Sequence, residues 1–105
     1  LFLFSSTAFA HPDFESLANA IYFAEGGTKT NFPYGIKSVS CSGETECRRI
    51  CLNTLKNNFK RWADTGNPGT YLEFLASRYA PLSDSELNKY WISNVEYFLK
   101  KGKKT

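Results

Sequence analysis

Apolar positions recur at helical spacing in four stretches of this chain, separated by glycine, proline and small polar residues. The first is Phe14, Leu17, Ala18, Ile21 and Ala24, one face of a helix that Asp13 can cap and that runs to Glu25. Glu15, Ser16 and Asn19 fall on its opposite side. Gly26-Gly27 can end it, because glycine tolerates the left-handed conformation that closes a helix. Residues 26–43 carry no helical period and read as a glycine-rich loop containing Pro33. A connection of that length in a small domain is usually functional. The second helix is expected over residues 45–63, with Cys51, Leu55, Phe59 and Trp62 as its buried stripe and Cys47 one turn earlier. The third opens on Thr70-Tyr71-Leu72-Glu73, the signature of a reciprocal cap. It turns Tyr71, Phe74, Leu75 and either Arg78 or Tyr79 to the core before Ala80-Pro81 stops it. The fourth opens on a second such box, Ser83-Asp84-Ser85-Glu86, in which Glu86 would reach back to the Ser83 amide. Its stripe is Leu87, Trp91, Val95 and Phe98, with Tyr90 and Tyr97 beside it, and it ends near Gly102. The pattern predicts a mainly α domain of four helices around one core.

At 105 residues, the chain has room for one domain. Its 42% hydrophobic and 16% aromatic content supports a packed core and argues against a disordered chain. Residues 1–10 read as the remnant of a secretory signal peptide: Leu1-Phe2-Leu3-Phe4 ends an apolar run, Ala8-Phe9-Ala10 is a small-residue cleavage site, and His11-Pro12 follows. With no Met and no basic segment ahead of it, this start is expected to be truncated. The location implied is periplasmic or secreted. No other stretch is long enough to span a membrane, so stable membrane insertion is not expected.

Charge adds less. The net charge is +3, with Lys100, Lys101, Lys103 and Lys104 at the end and Arg48, Arg49, Lys56, Lys60 and Arg61 on the second helix. Such residues suit an anionic polymer, and equally a solvated helix face. The modest charge and the export signal argue against nucleic acid. His11 is the single histidine, which rules out a two-histidine metal site and a Cys-His protease within the chain, and no metal or cofactor is expected. The cysteines number three, so one is left over if two pair. Cys47 and Cys51 stand one helical turn apart, a poor geometry for a bond, whereas Cys41 can fold back from the loop. Cys41 with Cys47 is the favoured disulfide in an exported chain, leaving Cys51 as a buried thiol.

Glu25 is the candidate for chemistry. At about 100° per residue it projects roughly 20° from Phe14, inside the apolar stripe. Burial disfavours the charged form of a carboxyl, which suits a proton donor. Ala24-Glu25-Gly26-Gly27 followed by Tyr34-Gly35-Ile36-Lys37-Ser38 resembles the catalytic segment of the lysozyme-like superfamily. It is similar to soluble lytic transglycosylase (SLT) domains, in which a helix-terminal Glu precedes a Gly-Leu-Met-Gln type turn. Lys37 and Ser38 stand where that pattern has Met and Gln, and small phage-type cell-wall hydrolases are alternative relatives. Arg78-Tyr79-Ala80-Pro81 resembles the setting of a late Tyr that faces the catalytic Glu in such enzymes.

The resemblance implies a lysozyme-like domain over residues 11–105 that cleaves the glycan strands of peptidoglycan as a monomer. It casts Glu25 as general acid/base and Tyr34, Gly35, Ser38 and Tyr79 as substrate-binding residues. Loop 26–43 holds no second carboxylate, and Glu44, Glu46, Asp64, Glu73 and Asp84 fall near expected helix ends. A lone Glu leans toward a lytic transglycosylase rather than a two-carboxylate hydrolase. The alternative is a secreted binding or inhibitor module on the same scaffold, without catalysis.

Overall fold

The computed structural model describes residues 12–27, 33–35, 41–67 and 69–103. Four α-helices appear in chain order: α1 (Phe14–Ala24), α2 (Gly43–Asp64), α3 (Tyr71–Tyr79) and α4 (Trp91–Lys103). Two 3₁₀ turns, Pro33–Gly35 and Glu86–Tyr90, lie between them. No strand occurs among the described residues, and none of their helices is long and apolar enough to cross a membrane. The signal remnant and His11 fall outside the described residues.

Local chemistry sets most helix ends. The Asp13 carboxylate accepts from the Ser16 amide at 3.1 Å and opens α1. The Thr70 box forms in full: Thr70 Oγ1 accepts from the Glu73 amide and Glu73 Oε1 from the Thr70 amide, each at 3.0 Å. The start of α2 is two residues earlier than the pattern indicated. There Glu46 Oε1 accepts from the Ser42 amide at 2.9 Å, and these bonds hold the Glu46 carboxyl below its ordinary range.

The Ser83 box does not form. Ser85 caps instead, its Oγ accepting from the Leu87 amide at 3.2 Å, and residues 86–90 wind as a 3₁₀ turn before α4 begins at Trp91. Glu86 pairs with Lys89 at 3.4 Å. Asn88 Nδ2 donates to the Pro81 carbonyl at 2.8 Å and ties the tighter winding in place. A 3₁₀ helix turns about 120° per residue, so a stripe projected back from Trp91 at helical spacing misplaces Leu87. Leu87 is 73% exposed rather than buried.

Each helix sends at least one residue to the centre. Ile21, Leu55, Leu75 and Val95 are all 0% exposed, and burying each contributes about 1.5–3 kcal/mol relative to exposure. Helix α1 packs most extensively on α4, and α2 packs against both α1 and α3. Phe59 meets Phe14 edge-on at 5.9 Å and Tyr71 at 5.3 Å. The Tyr71 hydroxyl donates to the Leu55 carbonyl at 2.7 Å, so its burial leaves no orphaned donor. On α3, Tyr79 takes the inward position and Arg78 is exposed.

Cys41 and Cys47 form the disulfide, with Cα atoms 5.2 Å apart, and anchor the entry to α2. Cys51 is free and wholly buried. Burial pushes its thiol up to about 11, although the Tyr79 hydroxyl lies 3.6 Å from the sulfur and opposes the shift.

Candidate active site

Glu25 is the last residue of the α1 turn, its amide still donating to the Ile21 carbonyl at 2.9 Å. Its side chain is half-buried, as its place in the apolar stripe required. Two features of the fold close on its carboxylate. The first is α4, whose Trp91 donates its indole N–H to Glu25 Oε2 at 2.9 Å. The second is the Pro33–Gly35 turn. A Cβ at Gly35 would lie 2.8 Å from the Glu25 carboxyl carbon, and Gly35 has φ +69°. Only glycine lets the backbone approach so closely in that conformation.

Behind this contact the turn is held at three points. The Tyr79 hydroxyl donates to the Tyr34 carbonyl. The Tyr79 ring stacks on Trp91 with centroids 5.5 Å apart and planes 28° apart. Burial pushes the Tyr79 hydroxyl far above its ordinary range, so it stays a donor. Tyr34 is 1% exposed, its ring 5.1 Å from that of Tyr22, despite a left-handed φ of +63°. A tyrosine persists there only when its surroundings over-determine it.

Arg48 supplies the third restraint. One guanidinium nitrogen donates to Asn19 Oδ1 at 2.8 Å and to the Tyr34 hydroxyl at 3.3 Å. The other donates to Glu15 Oε1 at 2.7 Å and to the Glu15 carbonyl at 3.3 Å. This arginine therefore fastens α1, α2 and the turn together, although its side chain stays 26% exposed. Arg48→Ala is expected to cost about 1.5–3 kcal/mol in chemical denaturation, the range for hydrogen bonds from a charged group. Arg49→Ala, whose pair with Glu46 is open and 3.5 Å long, should cost under about 1 kcal/mol.

Of the residues singled out in the sequence, Glu25, Tyr34, Gly35 and Tyr79 meet in one place, and Ser38 lies outside the described residues. Both tyrosine hydroxyls take part in bonds within the protein, and Tyr34 is 1% exposed. Tyr34 receives Arg48 and Tyr79 donates to Tyr34, so both hold the turn. Trp91 and Arg48 are the residues that sequence reasoning missed. Trp91 was visible as stripe, and a buried indole N–H needs an acceptor. That need matches a carboxylate set inside the facing apolar stripe. Nothing local marks Arg48.

The other described carboxylates with bonded partners are engaged elsewhere: Asp13 with Ser16, Glu15 with Arg48, Glu46 with Ser42, Glu73 with Thr70 and Glu86 with Lys89. No cluster of three metal-ligating side chains occurs among the described residues. Chemically, the arrangement offers one oriented carboxyl beside a glycine backbone. No protein-family model, curated protein or solved structure matches this chain.

Proposed function

We propose that this chain is a peptidoglycan-cleaving glycosidase on a lysozyme-like helical scaffold, acting as a lytic transglycosylase on the MurNAc–GlcNAc backbone with Glu25 as its acid and base. One observation carries the reading: the Glu25 carboxylate, half-buried at a helix end, is held by an indole donor and by the backbone of the Tyr34-Gly35 turn. The Cys41–Cys47 disulfide suits an oxidising compartment, the periplasm or the exterior, where the polymer lies.

The chemistry needs one carboxyl in two states. The Glu25 carboxyl gives its proton to the glycosidic oxygen as the bond from that oxygen to the MurNAc C1 breaks. Positive charge spreads over C1 and the ring oxygen. The resulting carboxylate takes the proton of the sugar's own 6-hydroxyl, and O6 closes on C1. The products are a new chain end with a free hydroxyl and a 1,6-anhydro sugar, with Glu25 protonated again. No water is consumed and no second carboxylate is required.

Digestion of purified peptidoglycan, with products read by mass spectrometry, tests this. Anhydro-muropeptides are the expected products. Reducing ends would replace the transglycosylase by a hydrolase, and the identity of the terminal sugar would distinguish muramidase from glucosaminidase. Absence of any release by a folded chain would reject the enzyme and leave a monomeric wall-binding or inhibitor module.

A further inference from the structure

We propose that Trp91 is the positioning residue of Glu25: its indole N–H claims Oε2, so that Oε1 is the oxygen that delivers and recovers the proton. This rests on Glu25 being the acid/base. The geometry supplies the argument. Oε2 is engaged at 2.9 Å by a donor that is itself 6% exposed. Oε1 takes no hydrogen bond from any described residue. The Gly35 turn lies close on this side: a Cβ at Gly35 would come within 2.8 Å of Oε2 and 3.1 Å of Oε1, so the space around the carboxylate is narrow. The indole is held in place, since Tyr79 stacks on it and is tethered in turn to the Tyr34 carbonyl.

An indole N–H is a donor only. It cannot take the carboxyl proton, and because the hydroxyl oxygen of a carboxyl is the poorer acceptor, its bond to Oε2 favours the proton on Oε1. It therefore selects an oxygen without competing for the proton, which a hydroxyl or an amide in its place would not guarantee. A donor to the charged form also steadies the carboxylate left after leaving-group protonation.

The test is a ¹⁵N spectrum followed through a pH titration. The chain has only two tryptophans, hence two indole N–H signals. Trp62 is the internal reference, because its indole donates to the Gly69 carbonyl at 3.3 Å. The Trp91 signal is expected to move as Glu25 titrates, and this movement should vanish in Glu25→Gln while the Trp62 signal behaves as before. The described titratable groups around Glu25 are the Cys51 thiol from α2, the Tyr79 hydroxyl from α3 and the Tyr34 hydroxyl from the turn. Burial pushes all three up, so none changes charge while a carboxyl titrates. A Trp91 signal that stays flat, or that titrates equally in Glu25→Gln, overturns the proposal.

Kinetics supply the second arm. Trp91→Phe should lower kcat about tenfold or more with KM changed less than twofold, as expected when a reacting atom loses its placement. A full kcat in Trp91→Phe also overturns the proposal. The spectroscopic arm uses no Trp91 variant, so misfolding of that variant does not remove the test. It is also independent of turnover. A chain that couples Trp91 to Glu25 but releases no muropeptide would reject the enzyme while leaving the carboxylate–indole link established.

Discussion

Glu25→Gln should reduce release of anhydro-muropeptides by about 10²–10⁴-fold, the usual contribution of a positioned acid or base. The substitution is nearly isosteric. The new amide oxygen can still accept from the Trp91 indole, so the bond between α1 and α4 survives. What is lost is the exchangeable acid proton and the anion that must recover a proton from the 6-hydroxyl. Denaturation midpoints should therefore change little while the rate collapses. Binding to insoluble peptidoglycan should persist, since no contact in the proposal depends on the charge of Glu25 alone. Activity within threefold of the parent chain would reject Glu25 as the acid/base.

Gly35→Ala should damage both stability and rate, and a control separates the two. At φ +69° an alanine is strained by about 1–2 kcal/mol. Its Cβ would also sit 2.8 Å from the Glu25 carboxyl carbon, so the carboxylate or the turn must shift. A displacement near 1 Å at a reacting atom costs up to about 10²-fold in rate. Gly66→Ala carries comparable strain at φ +90° but meets nothing within 4 Å. Gly66→Ala should lose about the backbone-strain share of stability and Gly35→Ala at least as much, with a large loss of turnover in Gly35→Ala alone. Equal retention of activity would show that the close approach of Gly35 does not set the carboxylate.

Burial leaves a periodic trace, and for that reason the four helices and their main stripes could be read before any coordinates. Leu17, Ile21, Leu55, Leu75 and Val95 repeat with the helix and reach the centre. The Thr70 cap was equally legible, because donor and acceptor lie three residues apart. The Ser83 box has the same local signature and fails, since Ser85 and the Asn88–Pro81 bond offer the backbone a tighter alternative. Leu87 was misplaced for the same reason.

At the site, Glu25 announced itself by breaking an apolar stripe. Its partner did not, because Trp91 reads as ordinary core and nothing in a sequence states which acceptor an indole will find 66 residues away. Arg48 was hidden more thoroughly. In the sequence it looks like Arg49, yet one fastens three elements and the other sits at the surface with a single loose pair.

The separation between Glu25 and Trp91 also bears on when the site can form. Helix α1 is made early, and its most extensive packing is with α4, the last helix described. A contact that closes a loop of 66 residues pays its chain entropy before it returns any stabilisation, so it belongs late in folding. During vectorial synthesis the Glu25 carboxylate is thus formed first and gains its indole partner last. A partly emerged chain already carries Glu25 but lacks the indole donor to its carboxylate, which arrives only with the segment that begins at Trp91.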